Sequence, residues 1–378
     1  MPHEDSVFHA VLKPLPWEDL DRLVERHGAG PLARGFGYAS QLVAMLYGQL
    51  AGAASLREIE AGLLSHADRL AALGAAPAAR ATLADANRLR PAAVFCDLFA
   101  LMLERAGRGA RRVMAGATLL VDATVLPLNG LSRAWARASA TLCGAKLHVA
   151  YDPDADRPVY VAVTPARVND VTAARTVPIA PGATYVFDLG YYDYGWWAEL
   201  DRAGCTLVTR PKSNTALAEA EERPVPAGGA VLSDRVGRLP ARQARSRRNP
   251  MRGRVREVRV RTETGKVLRV VTNDLDAPAA EIAGLYRRRW AVELFFRWIK
   301  QTLRIRRFLG ASENAVRVQV AAALIAHLSL RLAQARQSAV DGPLLFARLV
   351  RATLMHPRAL DALLRPDPPP DHGRPAPA

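Results

Sequence analysis

Apolar positions recur at helical spacing through residues 1 to about 110. "GYASQLVAMLYGQLAGAASLREIEAGL" carries that period, and Ser55 followed by Glu58 predicts a capping box for the next helix. "ATLADANRLRPAAVFCDLFALMLERA" predicts a helix pair broken near Pro91. The basic, glycine-containing stretch "RAGRGARR" at 105–112 marks a domain boundary. The pattern then turns to strands: "ATLLVDATVLPL" at 117–128, and two more around an Asp-Pro-Asp turn at 146–166. A short helix capped by Asn169 or Asp170 follows. Residues 183–204 give a strand, a glycine-containing turn and a helix, and "CTLVTRPKSN" at 205–214 gives one more strand. Loop-like and alternating segments fill 215–275, ending in a hairpin that turns at Thr264-Gly265. Two helical patterns come last, "LYRRRWAVELFFRWIKQTL" at 285–303 and an Ala/Leu-rich run at 315–336, before a Pro-rich tail expected to be disordered.

The 285–303 pattern poses a question. On a helical wheel Tyr286, Arg289, Glu293 and Lys300 share one narrow stripe. Leu285, Val292 and Phe296 flank it on one side and Trp290, Leu294 and Trp298 on the other. A solvated ion-pair face does not normally run between two apolar flanks. An ordinary Arg289–Glu293 pair, worth a few tenths of a kcal/mol, remains one account of it. A stripe turned toward a cleft, its flanks packed on the sheet, is the other.

Composition narrows the choice. Half of the 378 residues are hydrophobic, enough for a sizeable core in two or three domains. Lys and Arg outnumber Asp and Glu by 52 to 36, a net charge of +16 that calls for a polyanionic partner, most simply nucleic acid. The cysteines, Cys96, Cys143 and Cys205, are far apart, which argues against a zinc site or a disulfide framework and fits a reducing cytoplasm. No signal-peptide pattern and no run of eighteen apolar residues occurs, so a soluble protein without a membrane partner is expected.

Three acids then stand out. Asp122 sits inside the apolar strand "LLVDATVL", where a charge needs a partner or a metal. Asp188 ends the strand "TYVFD", and a helix N-cap is its plainer role. Glu293 is the third. Two strand acids and one on a later helix suit Mg²⁺, which takes a few carboxylates plus waters and phosphate oxygens. Two such ions can serve a phosphodiester displacement. The order three strands, helix, strand, helix, strand is that of a ribonuclease-H-like fold, which carries acids on its first and fourth strands and on a late helix. The expected class is α/β: a ribonuclease-H-like catalytic core with a β-rich insertion and an all-α N-terminal domain.

With those acids in place, the chain resembles the DDE transposases of the IS4-like insertion-sequence family. The family signature, Tyr, two residues, Arg, three residues, Glu, six residues, Lys, is matched by Tyr286, Arg289, Glu293 and Lys300. "VDAT", "GAKLHVAYD" and "FDLGYYDYGWW" are also similar to the family, and "SLREIE" and "TLADANRLRP" resemble a helical module that often precedes its catalytic core. The resemblance implies Asp122, Asp188 and Glu293 as catalytic residues and ligands of two Mg²⁺ ions, with Mn²⁺ as a substitute. It implies that Tyr286, Arg289 and Lys300 hold DNA phosphates. It divides the chain into a helical domain at 1–110 for end recognition or assembly, a first core part at 111–214, the insertion at 215–275, a second core part at 276–345 and the tail at 362–378. The implied partners are double-stranded DNA, both inverted-repeat ends and target, with a homodimer on the DNA. The implied setting is a bacterial cytoplasm, at the nucleoid. A catalytically decayed DNA-binding derivative, a metal-dependent nuclease and an RNA-binding relative stand as alternatives.

Other residues carry weaker signals. Arg210 and Lys212 end a strand near the sheet edge, and the Arg-rich run that includes Arg242, Arg245, Arg247, Arg248, Arg252, Arg254 and Arg256 suits DNA-backbone contact. Lys146 and His148 lie on the second strand, where a satisfied histidine is the plainer reading. Asp193 is expected to cap a helix. Trp196 and Trp197 could stack on a flipped base, although core packing suits at least one of them better.

Overall fold

The computed structural model describes residues 6–28, 35–107, 116–225, 228–244, 246–302 and 308–357. The 362–378 tail, most of the 105–112 linker and Arg245 lie outside the described residues. The chain forms two units, one made of residues 1–102, 301–310 and 314–378 and the other of residues 103–300 and 311–313.

The first unit is helical. It holds α1 (Val7–Leu12), α2 (Trp17–Arg26), α3 (Tyr38–Ala51), α4 (Leu56–Leu64), α5 (Ala67–Ala71), α6 (Arg80–Leu89) and α7 (Ala92–Ala106), the last extending past the boundary. The cap foreseen at α4 is present: the Glu58 amide donates to Ser55 Oγ at 3.2 Å, and the Glu58 carboxylate reaches back to the Ala54 amide at 2.8 Å. Arg90 is extended before Pro91 and separates α6 from α7. By contact the Ala/Leu-rich run groups with these helices. Asn314 contributes to the grouping: its Nδ2 donates to the carbonyls of Asn87 and Arg90, and its Oδ1 accepts from the Ala92 amide.

The second unit is built on one nine-stranded sheet. β1 (Thr118–Leu128), β2 (Cys143–Asp152) and β3 (Arg157–Pro165) form an antiparallel meander, with the short α8 (Arg133–Ala136) between β1 and β2. After α9 (Asp170–Ala174), β4 (Thr184–Phe187) returns parallel to β1. After α10 (Tyr194–Arg202), β5 (Thr206–Thr209) lies parallel to β4. That is the predicted ribonuclease-H-like order.

The 215–275 segment does not form a sheet of its own. β6 (Ala218–Glu222), β7 (Val231–Arg238), β10 (Val255–Arg261) and β11 (Val267–Thr272) extend the same sheet, because β11 pairs antiparallel with β5. The small ribbon of β8 (Arg242–Ala244) and β9 (Arg247–Arg248) stands apart. The fully exposed run Ala-Glu-Ala-Glu-Glu of β6 charges the outer edge and guards it against further pairing.

The long helix foreseen at 285–303 is interrupted. It divides at Arg289 into α11 (Ala279–Arg288) and α12 (Trp290–Thr302). The amides of Arg289 and Val292 donate three residues back, to Tyr286 and Arg289, and this tightened turn breaks the regular ladder. Its residues 303–307 lie outside the described residues. α13 (Glu313–Gln334) and α14 (Pro343–Thr353) follow. α13 is long and apolar enough to cross a membrane, but 83% of its apolar window is buried, as in the core helix of a folded unit.

Along β1 alternate side chains face opposite ways. Leu119 and Val121 join the core with Tyr185, Phe187, Trp196 and Trp197. Asp122 and Thr124 point to the other face, toward α11 and α12. Both tryptophans are buried, and Trp197 Nε1 donates to the Tyr191 carbonyl, so neither presents a face to a flipped base.

Candidate active site

The ladder between β1 and β4 places Val121 opposite Phe187, so Asp122 and Asp188 come next on adjacent parallel strands. α12 brings Glu293 to the same place. Arg289, at the break between the helices, donates through Nη1 to Asp122 Oδ2 at 3.0 Å and through Nη2 to Glu293. The i,i+4 pair is therefore real, but it is half of a clamp that joins a helix acid to a strand acid. Arg289 Nε, buried, has no partner. Farther along α12, Lys300 Nζ donates to Thr124 Oγ1. The helix is thus pinned along β1 at residues two apart on one strand face.

Burial pushes the Asp122 carboxyl up to about 6, against the Ala123 amide and Arg289, and the charges of Asp188 and Glu293 add to the rise. Asp188 is an N-cap as well, its Oδ1 accepting from the Gly190 amide at 2.8 Å. Among the described residues no Lys, Arg or His lies within ion-pair distance of it. Tyr286 is buried. Arg289 stands 5.9 Å from its ring, and Arg210 and Asp188 act on its hydroxyl, whose pKa burial raises. Tyr286, Arg289, Glu293, Lys300, Asp122, Asp188 and Arg210 therefore share one neighbourhood.

The flanks of α12 differ from the expectation that both pack on the sheet. Val292, Phe295, Phe296 and Ile299 are buried, and Phe295 stacks at 5.0 Å on Tyr151 of β2. On the other flank Trp290 is 52% and Leu294 46% exposed. One packed flank is enough to fix the helix.

A cleft of about 660 Å³ opens beside Asp188, starting at Leu189 and Gly190. Lys212, Arg247 and Arg248 line it, joined by Arg175, Tyr192 and Gln243. Lys212 lies over the Tyr192 ring at 4.7 Å. Asp193 caps α10 as foreseen, and its two oxygens also hold Arg175 (3.0 Å) and Arg247 (3.2 Å) at the wall. Sequence reading missed Arg175. It also missed Thr124, although its spacing of two from Asp122 on a strand was the available signal. Arg256 does not face solvent or DNA: it is buried in a two-pronged pair with Asp234, at 2.8 and 2.7 Å. His148 is buried on the far face of β1 and β2, its Nε2 2.9 Å from Thr164 Oγ1, with its pKa lowered to about 4 by burial.

As they stand, no three acid, histidine or cysteine groups among the described residues converge closely enough to form a metal cage. The acids supply oxygen donors of the kind a hard divalent ion takes, and Arg289 holds two of them.

Comparison with known proteins agrees with this geometry. The family model described as "Transposase DDE domain" matches residues 115–329, and one described only as a domain of unknown function matches residues 3–76. The Sinorhizobium fredii protein named "Putative transposase y4zB" is 42% identical over 299 residues, covering 78% of this chain and 82% of that protein. The Geobacillus stearothermophilus protein named "Probable transposase for insertion sequence element IS5377" is 33% identical over 238 residues, 62% of each chain. A solved piggyBac transposase synaptic complex with hairpin DNA aligns over 94% of this chain and 78% of that one, at 13% identity and a TM-score of 0.46, too loose a likeness to bear on the argument. The chain belongs to the DDE transposases of the IS4-like type, enzymes that cleave DNA and transfer its strands.

Proposed function

We propose that this transposase binds the inverted-repeat ends of its own element and moves it by a metal-dependent cut-and-paste route, with Asp122, Asp188 and Glu293 as its catalytic acids. The observation that carries the reading is the Arg289 clamp, which gathers an acid from β1 and an acid from α12 beside the end of β4. The donor set fits a divalent cation. Every donor is a carboxylate oxygen, burial disfavours the charge on Asp122, and Asp188 lacks a cationic partner among the described residues. Asp122, Asp188 and Glu293 would hold two Mg²⁺ ions, replaceable by Mn²⁺, and ions so held polarise an attacking oxygen and stabilise a leaving one.

The remaining steps belong to the chain's own side chains. Arg289 releases the acids and turns to a phosphate, with Tyr286 and Arg210 beside it. Lys300, tied to β1 through Thr124, holds a second phosphate. Lys212, Arg247 and Arg248 continue the basic track along the cleft. Water attacks phosphorus, the bond to the 3′ oxygen breaks and a 3′-hydroxyl leaves. That hydroxyl then attacks a phosphodiester of the opposite strand or the target, so that one phosphorus–oxygen bond forms as another breaks. Each step is an in-line displacement, and one site serves them all. A homodimer pairs the two ends, and the helical unit assists end recognition. Removing residues 1–105 is expected to lower end-specific binding, and unchanged binding would exclude that role.

The test is plasmid excision, with the gene's own flanking DNA as substrate and Mg²⁺ or Mn²⁺ present. Wild type is expected to release a fragment cut at the repeat ends, while Glu293→Gln binds without cutting. Transfer of a labelled 3′ end separates transposition from simple nuclease action. Binding of the ends by both proteins without cutting by either would make the chain a DNA-binding relic.

A further inference from the structure

Beside Asp188 the fold places a fourth carboxylate, Asp170, which the family signature does not include. It is the first residue of α9, next to β2. Its Oδ1 accepts from Lys146 Nζ at 2.8 Å, and His148 Nδ1 lies 3.9 Å from the same oxygen. Its Oδ2 turns toward Gly190. A methyl group on Gly190 would meet Asp188 Oδ1 at 3.0 Å and Asp170 Oδ2 at 3.2 Å. Gly190 has no left-handed backbone, so a side chain there is opposed by crowding against the two carboxylates rather than by conformation. Two acids therefore converge on a gap that the glycine keeps open.

A further observation points to an occupant. The Tyr191 hydroxyl, on a side chain 1% exposed, has no hydrogen-bond partner and lies within electrostatic reach of Asp122, Asp170 and Asp188. Buried polar groups of this kind normally face a water or an ion. Among the described residues the ion pairs of these acids involve Arg289 and Lys146, and Asp188 has no cation within ion-pair distance.

We propose that Asp170 is a further ligand of the active site, taking with Asp188 one divalent cation across Gly190, with the Tyr191 hydroxyl turned to that ion or to its bound water. The proposal rests on the metal-dependent reading above. The two acids, a hydroxyl and waters make a site of the kind Mg²⁺ and Mn²⁺ accept.

The experiment is a Mn²⁺ binding isotherm on the full-length protein without DNA, counting free Mn²⁺ by electron paramagnetic resonance. Asp170→Asn is expected to weaken binding at least about tenfold. Gly190→Ala, which keeps every charge and fills the gap, is expected to do the same. Lys146→Met breaks the same ion pair but leaves the carboxylate, and is expected to bind as tightly as wild type or more tightly. Circular dichroism checks that each variant is folded.

Wild-type binding in Asp170→Asn and Gly190→Ala, with loss in Glu293→Gln, would remove Asp170 from the site and leave the transposase reading standing. Equal weakening in Lys146→Met would reduce Asp170 to an ion-pair partner. Absence of Mn²⁺ binding by wild type at millimolar metal also overturns the proposal, since both carboxylates face Gly190 in the protein without DNA. The expected pattern together with failed excision would keep Asp170 as a ligand and discard the cut-and-paste reading.

Discussion

Two halves of one sheet bury carboxylates and treat them in opposite ways. In the β7-β10-β11 half, Glu257 is fully buried and receives Arg235 at 2.6 Å, Arg259 at 3.2 Å and Arg269. Asp234 beside it is matched by both prongs of Arg256. Burial pushes the Glu257 carboxyl up, but Arg269 and Arg235 outweigh it and hold it below the ordinary range. In the β1-β4 half, Asp122 shares its one arginine with Glu293, and its carboxyl rises to about 6. Among the described residues the Asp188 carboxylate has only a backbone amide as partner. The first arrangement is closed and holds strands together. The second keeps charge without full compensation, which is what a site must do if it is to receive a cationic ligand.

Removing an acid separates the halves most sharply. Glu293→Gln or Asp188→Asn is expected to abolish excision to below detection and leave the thermal midpoint nearly unchanged, because neither acid completes a buried network. Calorimetry beside the excision assay checks this, and a midpoint drop as large as that of a Glu257 variant would erase the distinction.

The converse change is Glu257→Ala, which strands three guanidinium groups around a buried hole. A loss of about 3–5 kcal/mol is expected in urea unfolding at pH 7. The sign with pH follows from the depressed pKa. Glu257 contributes stability above its unfolded value, near 4.3 for a glutamate, and loses it as pH falls through its lower folded value. The gap between wild type and Glu257→Gln should therefore narrow in acid. A constant gap down to pH 2 would show that packing, not ionisation, carries the effect.

The same contrast explains what was legible in the chain. The ribonuclease-H-like strand order was readable, and so were the positions of Asp122 within one apolar strand and Asp188 at the end of another. The spacing of Tyr286, Arg289, Glu293 and Lys300 gave the helix stripe but not its break at Arg289, whose side chain reaches across to Asp122. The alternation of "VREVRVR" predicted a hairpin strand, and its Arg256 was expected at the DNA backbone. It concealed the burial of Arg256 and Glu257, since their partners, Asp234, Arg235 and Arg269, lie on other strands. Asp170 looked like part of a helix start because its relation to Asp188 runs through a glycine, and a missing side chain has no pattern. The grouping of α13 with the N-terminal unit includes the bonds of Asn314, a single amide whose partners lie more than 200 residues away.

The smallest expected effect concerns the cleft wall. Arg248 is exposed, while Arg247 is tethered to Asp193 at 3.2 Å. If both meet phosphate, each alanine variant should weaken DNA binding uniformly across sequences and lower the salt dependence by about one counterion. The tether adds a difference. Arg247 is already oriented, so it loses less freedom on binding, and its removal should cost more affinity than that of Arg248. Asp193→Asn keeps an oxygen for the α10 cap but weakens the hold on Arg247 and Arg175, and should move affinity part of the way toward Arg247→Ala. Fluorescence anisotropy with labelled end DNA over a range of salt reads all three. Equal losses at Arg247 and Arg248, with no change in Asp193→Asn, would mean that the wall acts as diffuse charge and that Asp193 only caps its helix.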